Sequence, residues 1–155
     1  MRRRMKLIDT NVLLVLILGS IDPKLINANK RTSIYEEQDY YDLVSVIGDL
    51  KDLIVLPNVW TETDNLLNNT IGRRKYEYLE IFKATVGVCT EEYVETKTVC
   101  ESTSLYVLGL TDSLLLDFSS HCEMLITSDS GLSDQARARG VKVFDLVQNR
   151  NSRIV

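Results

Sequence analysis

The stretch Met5-Lys6-Leu7-Ile8-Asp9-Thr10-Asn11-Val12-Leu13-Leu14-Val15-Leu16-Ile17-Leu18 decides the fold. Its first part, through Ile8, reads as a short strand buried on both faces. Asp9-Thr10-Asn11 is a polar break, and Asn11 is a natural helix cap. Residues 12–18 are apolar all round, the signature of a helix enclosed between a sheet and other helices. Strand, acid and buried helix in succession open an α/β fold.

The rest of the chain repeats the theme. Gly19-Ser20 and Asp22-Pro23 end the first helix, and the polar residues 27–33 read as a loop. Residues 39–51 carry Tyr40, Leu43, Val44, Ile47 and Leu50 at helical spacing. Residues 53–56 form a second strand, stopped by Pro57. A helix starts near Asn58 or Val59, and the run from Asn68 to Gly72 breaks it. Residues 73–84 are helical again, and Val86-Gly87-Val88 reads as an irregular connection. Helix is expected within residues 91–108, although the threonines weaken it. A further helix is expected over 112–121, a third strand over 124–127, a short helix over 133–139 and a fourth strand over 141–144. Strands alternating with helices imply a three-layer α/β/α architecture around a mainly parallel sheet. The chain has 155 residues, which favours one domain. That domain is expected to span residues 1–147, with 148–155 as a loose tail.

Composition is that of a globular protein: 45% hydrophobic, 26% charged, net charge −4. This charge does not suggest a protein held on nucleic acid by bulk attraction. Cys89, Cys100 and Cys122 lack metal-type spacing and fit reduced thiols of a cytoplasmic protein. Arg2-Arg3-Arg4 ahead of an apolar run imitates a secretion signal. However, Asp9-Thr10-Asn11 intervenes, no small-residue cleavage site follows, and the run is short of the roughly 20 residues that span a bilayer. No membrane association is expected.

Four acids stand out. Asp9 follows the first strand, Glu62 lies about one turn into the helix after the second, and Asp112 opens a helix beside Thr111, a natural cap. Asp129 follows the third strand by two residues. In a parallel sheet these places converge on the edge where ligands bind. Four carboxylates gathered there repel one another, and a hard divalent cation such as Mg²⁺ or Mn²⁺ relieves that repulsion. The plain alternative is that each acid caps a helix, since the chain holds 22 acids. Asp64 and Asp117 serve as controls. Asp117 lies about 140° around its helix from Asp112 and points elsewhere. Asp134 either caps the last helix or reaches the ion. The lone His121 is expected near a helix end, away from the acids. No glycine-rich nucleotide motif or serine-nucleophile elbow is present.

Together the segments Leu7-Ile8-Asp9-Thr10-Asn11, Trp60-Thr61-Glu62, Gly109-Leu110-Thr111-Asp112-Ser113 and Leu125-Ile126-Thr127-Ser128-Asp129 resemble the PIN-domain nuclease family. Ala138-Arg139-Gly140-Val141-Lys142-Val143 is similar to the end of such domains. The resemblance spans residues 6–146 and departs from shorter members in a long segment, 22–41. It implies Mg²⁺- or Mn²⁺-dependent hydrolysis of RNA phosphodiester bonds, with Asp9, Glu62, Asp112 and Asp129 as ligands and catalytic groups. Thr127 and Asn11, and more weakly Thr10, would orient them. Many relatives are toxins restrained by a protein antitoxin, and others process RNA. A homodimer is a reasonable default.

Arg2–Arg4, Arg73-Arg74-Lys75 and Arg137 with Arg139 are candidate phosphate contacts. Tyr35, Tyr40 and Tyr41 are candidate base-stacking groups. One rival is a non-catalytic binding module on the same fold. Another, a receiver-like phosphoacceptor, lacks the acid it would need at Leu56-Pro57.

Overall fold

The computed structural model describes residues 4–69 and 72–154. Arg2 and Arg3 of the first basic cluster, and Thr70 and Ile71 of the expected helix break, lie outside the described residues. In chain order the strands are β1 (Lys6–Ile8), β2 (Leu53–Val55), β3 (Thr90–Glu91), β4 (Met124–Thr127) and β5 (Val143–Asp145). The helices are α1 (Thr10–Ile21), α2 (Lys24–Ala28), α3 (Glu37–Ile47), α4 (Pro57–Asn68) and α5 (Lys75–Val88). They continue with α6 (Ser104–Leu108), α7 (Leu110–Ser119), α8 (Ser130–Ala138) and α9 (Leu146–Ile154).

The sheet is parallel throughout, in the order β3-β2-β1-β4-β5. Lys6 stands beside Leu53 on one side of β1 and beside Met124 on the other. Leu7, Ile8, Leu53, Val55, Leu125 and Ile126 are fully enclosed, because a parallel sheet is covered on both faces. The chain steps outward from β1 through β2 to β3, then returns across the sheet to β4 and out to β5. Right-handed crossovers place the intervening helices on opposite faces. Accordingly α1 packs with α2, α3, α4 and α5, while α7 packs with α6 and α8. The three-layer α/β/α expectation holds. Strand order reverses between β1 and β4, and the carboxyl ends of those two strands open a crevice.

Helix α1 is the centre of its layer. Every residue from Val12 to Gly19 is buried. Of the two expected stops, Gly19-Ser20 lies within α1 and Asp22-Pro23 ends it, with Asp22 as the C-cap. The Tyr40 ring lies directly on Gly19: a Cβ there would sit 2.1 Å from ring carbon Cδ2. The cap also differs from expectation. Asp9, rather than Asn11, is the N-cap, its carboxylate accepting from the Val12 amide.

Other differences concern weak signals. Val86-Gly87-Val88 completes α5 rather than forming a connection. The strand β3 has two residues, too short for an apolar run. Instead of one long helix, residues 91–108 hold a 3₁₀ turn, Thr96–Val99, and the short α6. Polar residues 27–33 were expected as loop, and α2 takes up their beginning.

The supposed loose tail is the helix α9. Its Arg153 sends Nη1 to Asp42 Oδ2 at 2.8 Å and Nη2 to Asp39 Oδ1 at 2.9 Å. Asp39 is wholly buried, and its other oxygen accepts from the Glu36 amide at 2.8 Å in a capping box. The Arg153–Asp39 contact is held by charge rather than by a well-aligned hydrogen bond. Asn149 adds a 2.9 Å bond to Asp42. Among the described residues no helix is long and apolar enough to cross a membrane.

Candidate metal centre

The four acids line one open pocket of about 520 Å³ at the carboxyl edge of the sheet, together with Thr10, Asn11, Arg31, Leu108 and Thr111. Three helices, α1, α7 and α8, present their N-termini there. Backbone dipoles therefore favour negative charge at the site.

Asp9 is fixed most firmly. Its amide donates to Ile126 O at 3.1 Å, extending the β1–β4 ladder past the crevice. Oδ1 accepts from the Val12 amide at 3.2 Å. Oδ2 accepts from the Thr127 hydroxyl and from the Ser128 amide at 3.4 Å. The carboxyl group is 4% exposed and has no cationic partner among the described residues. Burial pushes its pKa up to about 6, against the pull of those three hydrogen bonds and with the Asp129 charge adding to the rise.

Thr127, fully buried at the end of β4, donates to Asp9 and accepts from the Asp129 amide at 3.1 Å. It ties together the two acids that flank the reversal of strand order. Asp129 caps α8, its Oδ1 accepting from the Leu132 amide at 2.8 Å. The capping alternative is thus true of Asp9 and Asp129 and does not exclude the other role, since both also line the pocket and a carboxylate has about four acceptor sites.

Glu62 reaches the same pocket from α4. Its two oxygens accept from Thr10 at 2.9 Å and from the Thr111 hydroxyl. Thr10 therefore orients Glu62 rather than Asp9. Thr111, expected as a cap, lies inside α7 and serves as this tether, while Gly109 occupies the cap with φ +81°. Asn11 lines the pocket but makes no side-chain hydrogen bond among the described residues.

Asp112 is the least satisfied of the four. Half-buried on the first turn of α7, it has no hydrogen-bond donor among the described residues. Burial raises its pKa to about 7, and the charges of Asp129, Asp9 and Glu62 push the same way. Asp112 thus lies within electrostatic reach of the other three acids. The four are not drawn into a closed cage: among the described residues, no group of three acidic, histidine or cysteine side chains already stands arranged to hold an ion. The donor set is all oxygen and anionic, which suits a hard divalent cation.

The controls fall elsewhere. Asp64 accepts from the buried Tyr78 hydroxyl at 2.5 Å. Neither Asp117 nor Asp134 lines the pocket, and Asp134 lies within α8 instead of capping it. His121 lies beyond the end of α7, its ring against Phe118. Asp145 ends β5 at the same sheet edge, but it accepts from Ser133 at 2.6 Å and from the Gln148 amide at 3.0 Å, holding α8 and α9. The three cysteines are unpaired.

Among the described residues, no member of the basic clusters singled out in the sequence lines the acid pocket. Arg74 pairs with Asp22 and Glu77. Arg4, Arg139 and Lys142 line a separate hollow at the amino edge of the sheet. Arg31, which carried no local signal, is the basic residue that does line the pocket. Tyr35 is not available for stacking: it is 3% exposed, and burial raises its phenol to about 12 despite a hydrogen bond with Ser128. The chain matches no protein-family model and no curated protein sequence.

Proposed function

We propose that the protein is a Mg²⁺- or Mn²⁺-dependent endoribonuclease that hydrolyses phosphodiester bonds of RNA, in the manner of the PIN-domain family its motifs resemble. The observation that carries this reading is Asp112. A carboxyl group surrounded by like charges and lacking a protein donor is costly to hold ionised. A divalent cation shared with Asp9, Glu62 and Asp129 removes that cost.

In this reading Asp9 is the innermost ligand, and Thr127 keeps one of its oxygens in place. Thr10 and Thr111 hold Glu62 from two different helices, so its carboxylate needs little reorganisation to bind. Asp129 faces Asp9 across the crevice. Such an ion, when bound, acidifies water and neutralises developing charge on the phosphoryl oxygens. The protein's part is to fix the anionic oxygens and to present helix N-termini toward the phosphate. The elevated pKa values of Asp9 and Asp112 mean that ion binding expels protons.

A cytoplasmic setting fits the three unpaired thiols. Both a toxin restrained by a protein antitoxin and an RNA-processing enzyme agree with this chemistry; an adjoining reading frame for a DNA-binding antitoxin would favour the first. A two-fold dimer belongs to the same proposal. The test is cleavage of mixed RNA with Mn²⁺ by the parent, Asp9→Asn and Asp112→Asn. Cutting by the parent alone, with all three folded by circular dichroism, supports the reading. A parent that neither cuts nor binds Mn²⁺ through these acids leaves a non-catalytic binding module.

A further inference from the structure

We propose that Arg31 is a phosphate-gripping residue of this pocket, holding a backbone phosphate of the nucleic-acid strand beside the bond that is cut. The inference rests on the nuclease reading above. Among the described residues, Arg31 is the one basic side chain that lines the acid pocket, and it forms no ion pair there. An arginine serving to neutralise the acids would sit against a carboxylate. This one stands among four carboxylates without joining any of them.

Its backbone is braced. Arg31 follows α2 in the long segment, 22–41, that sets the chain apart from shorter family members. The Arg31 amide donates to Asn29 Oδ1 at 2.9 Å. Next to it, the fully buried Thr32 donates to Ile26 O at 2.6 Å. Asn27 Nδ2 closes the turn on Ser33 O at 2.9 Å, and Tyr35 buries the segment's end near Asp9. The braced turn spares the backbone's share of the ordering cost on binding, while the exposed side chain still gives up its rotamer freedom.

The chemistry matches one ligand feature. Divalent ions take the carboxylates, whereas the remaining anionic oxygens of a phosphodiester suit the planar, multidentate donors of arginine. Among the described residues, no member of the other basic clusters lines this pocket, so none duplicates the contact.

The test uses the full chain, a fluorescent single-stranded RNA and Mn²⁺, comparing the parent with Arg31→Ala and Arg31→Lys. Cleavage kinetics are paired with binding by anisotropy over a range of NaCl on an Asp112→Asn background. Arg31→Ala is expected to raise KM about tenfold with kcat changed less than about threefold. The slope of log affinity against log salt should shrink by about 0.7, the loss of one phosphate contact on a single strand. Arg31→Lys should recover the slope and only part of the KM. An unchanged KM and slope in a parent that cuts would overturn the phosphate role alone. So would tighter Mn²⁺ binding and faster cutting by Arg31→Ala, which would mark the arginine as a competitor of the ion. A parent that does not cut RNA removes the nuclease reading and this inference with it.

Discussion

Asp9 and Asp39 are both buried carboxylates at the start of a helix, and their surroundings differ in kind. Asp39 meets the Arg153 guanidinium and a backbone amide, and with Asp42 it binds α9 to α3. Asp9 meets a hydroxyl, two amides and further acids. One environment completes the charge within the chain. The other leaves it incomplete and opens it to a pocket. Burial alone does not mark a functional acid; the identity of its partners does.

The strongest way to break this contrast is to neutralise one acid of each kind. Asp9→Asn and Asp112→Asn are each expected to lower RNA cleavage at least about a hundredfold, the scale of losing a metal-site partner. Asp42→Asn should leave kcat within about twofold when assayed below its melting temperature. Equal losses in both regions would erase the distinction.

A second comparison concerns stability. Arg153→Ala removes a cation from a buried acid and is expected to cost about 2–3 kcal/mol by urea denaturation. That lies at the low end for buried pairs because the arginine side chain stays 26% exposed. Asp112→Asn should act oppositely, raising the metal-free unfolding free energy by about 1 kcal/mol through relief of repulsion. Destabilisation by Asp112→Asn would mean that its carboxylate has a protein partner in solution.

Acidity provides a third. Asp9 and Asp112 hold protons in the folded chain up to about pH 6 and 7, well above the ordinary carboxylate value of 3.8. Their contribution is therefore fully present below about pH 4 and is lost as pH rises through 6 to 7. Asp42 behaves in reverse. Burial would raise its pKa, but hydrogen bonds from Gln38, Asn149 and Arg153, with the arginine's charge, bring it below its usual value. Its contribution is present above the ordinary value and fades as pH falls. Thermal melts from pH 4 to 8 without divalent ions should show the first trend, flattened in Asp112→Asn.

The smallest effect is the proton count. Calorimetry of Mn²⁺ binding at pH 6.5 in buffers of different ionisation enthalpy should show release of roughly one proton. Arg153→Ala, folded at low temperature, should give the same count. No release would separate ion binding from Asp9 and Asp112.

Much of this was legible in the chain. The strands β1 and β4 follow from uninterrupted apolar runs, and the placing of Asp9, Glu62, Asp112 and Asp129 follows from parallel topology. Asp39 and Arg153 were not legible as a pair, because their meeting depends on how α9 returns across α3 and the polar composition of α9 suggested a tail. Arg31 was hidden for the same reason: a loop residue's destination is set by tertiary anchors such as Thr32 and Tyr35. The assignment of Thr111 as a cap failed because Gly109, with its positive φ, begins α7 earlier.

The enclosure of α1 carries a consequence for distant substitutions. The helix is surrounded by apolar neighbours from Val12 to Gly19, and Asp9 is its first anchoring group. A void opened at Val15 or Leu16 is relieved in part by movement of the helix that bears it, and such a displacement reaches its tip. Mutational damage deep inside the molecule would then surface as an enzymatic defect before it appeared as unfolding.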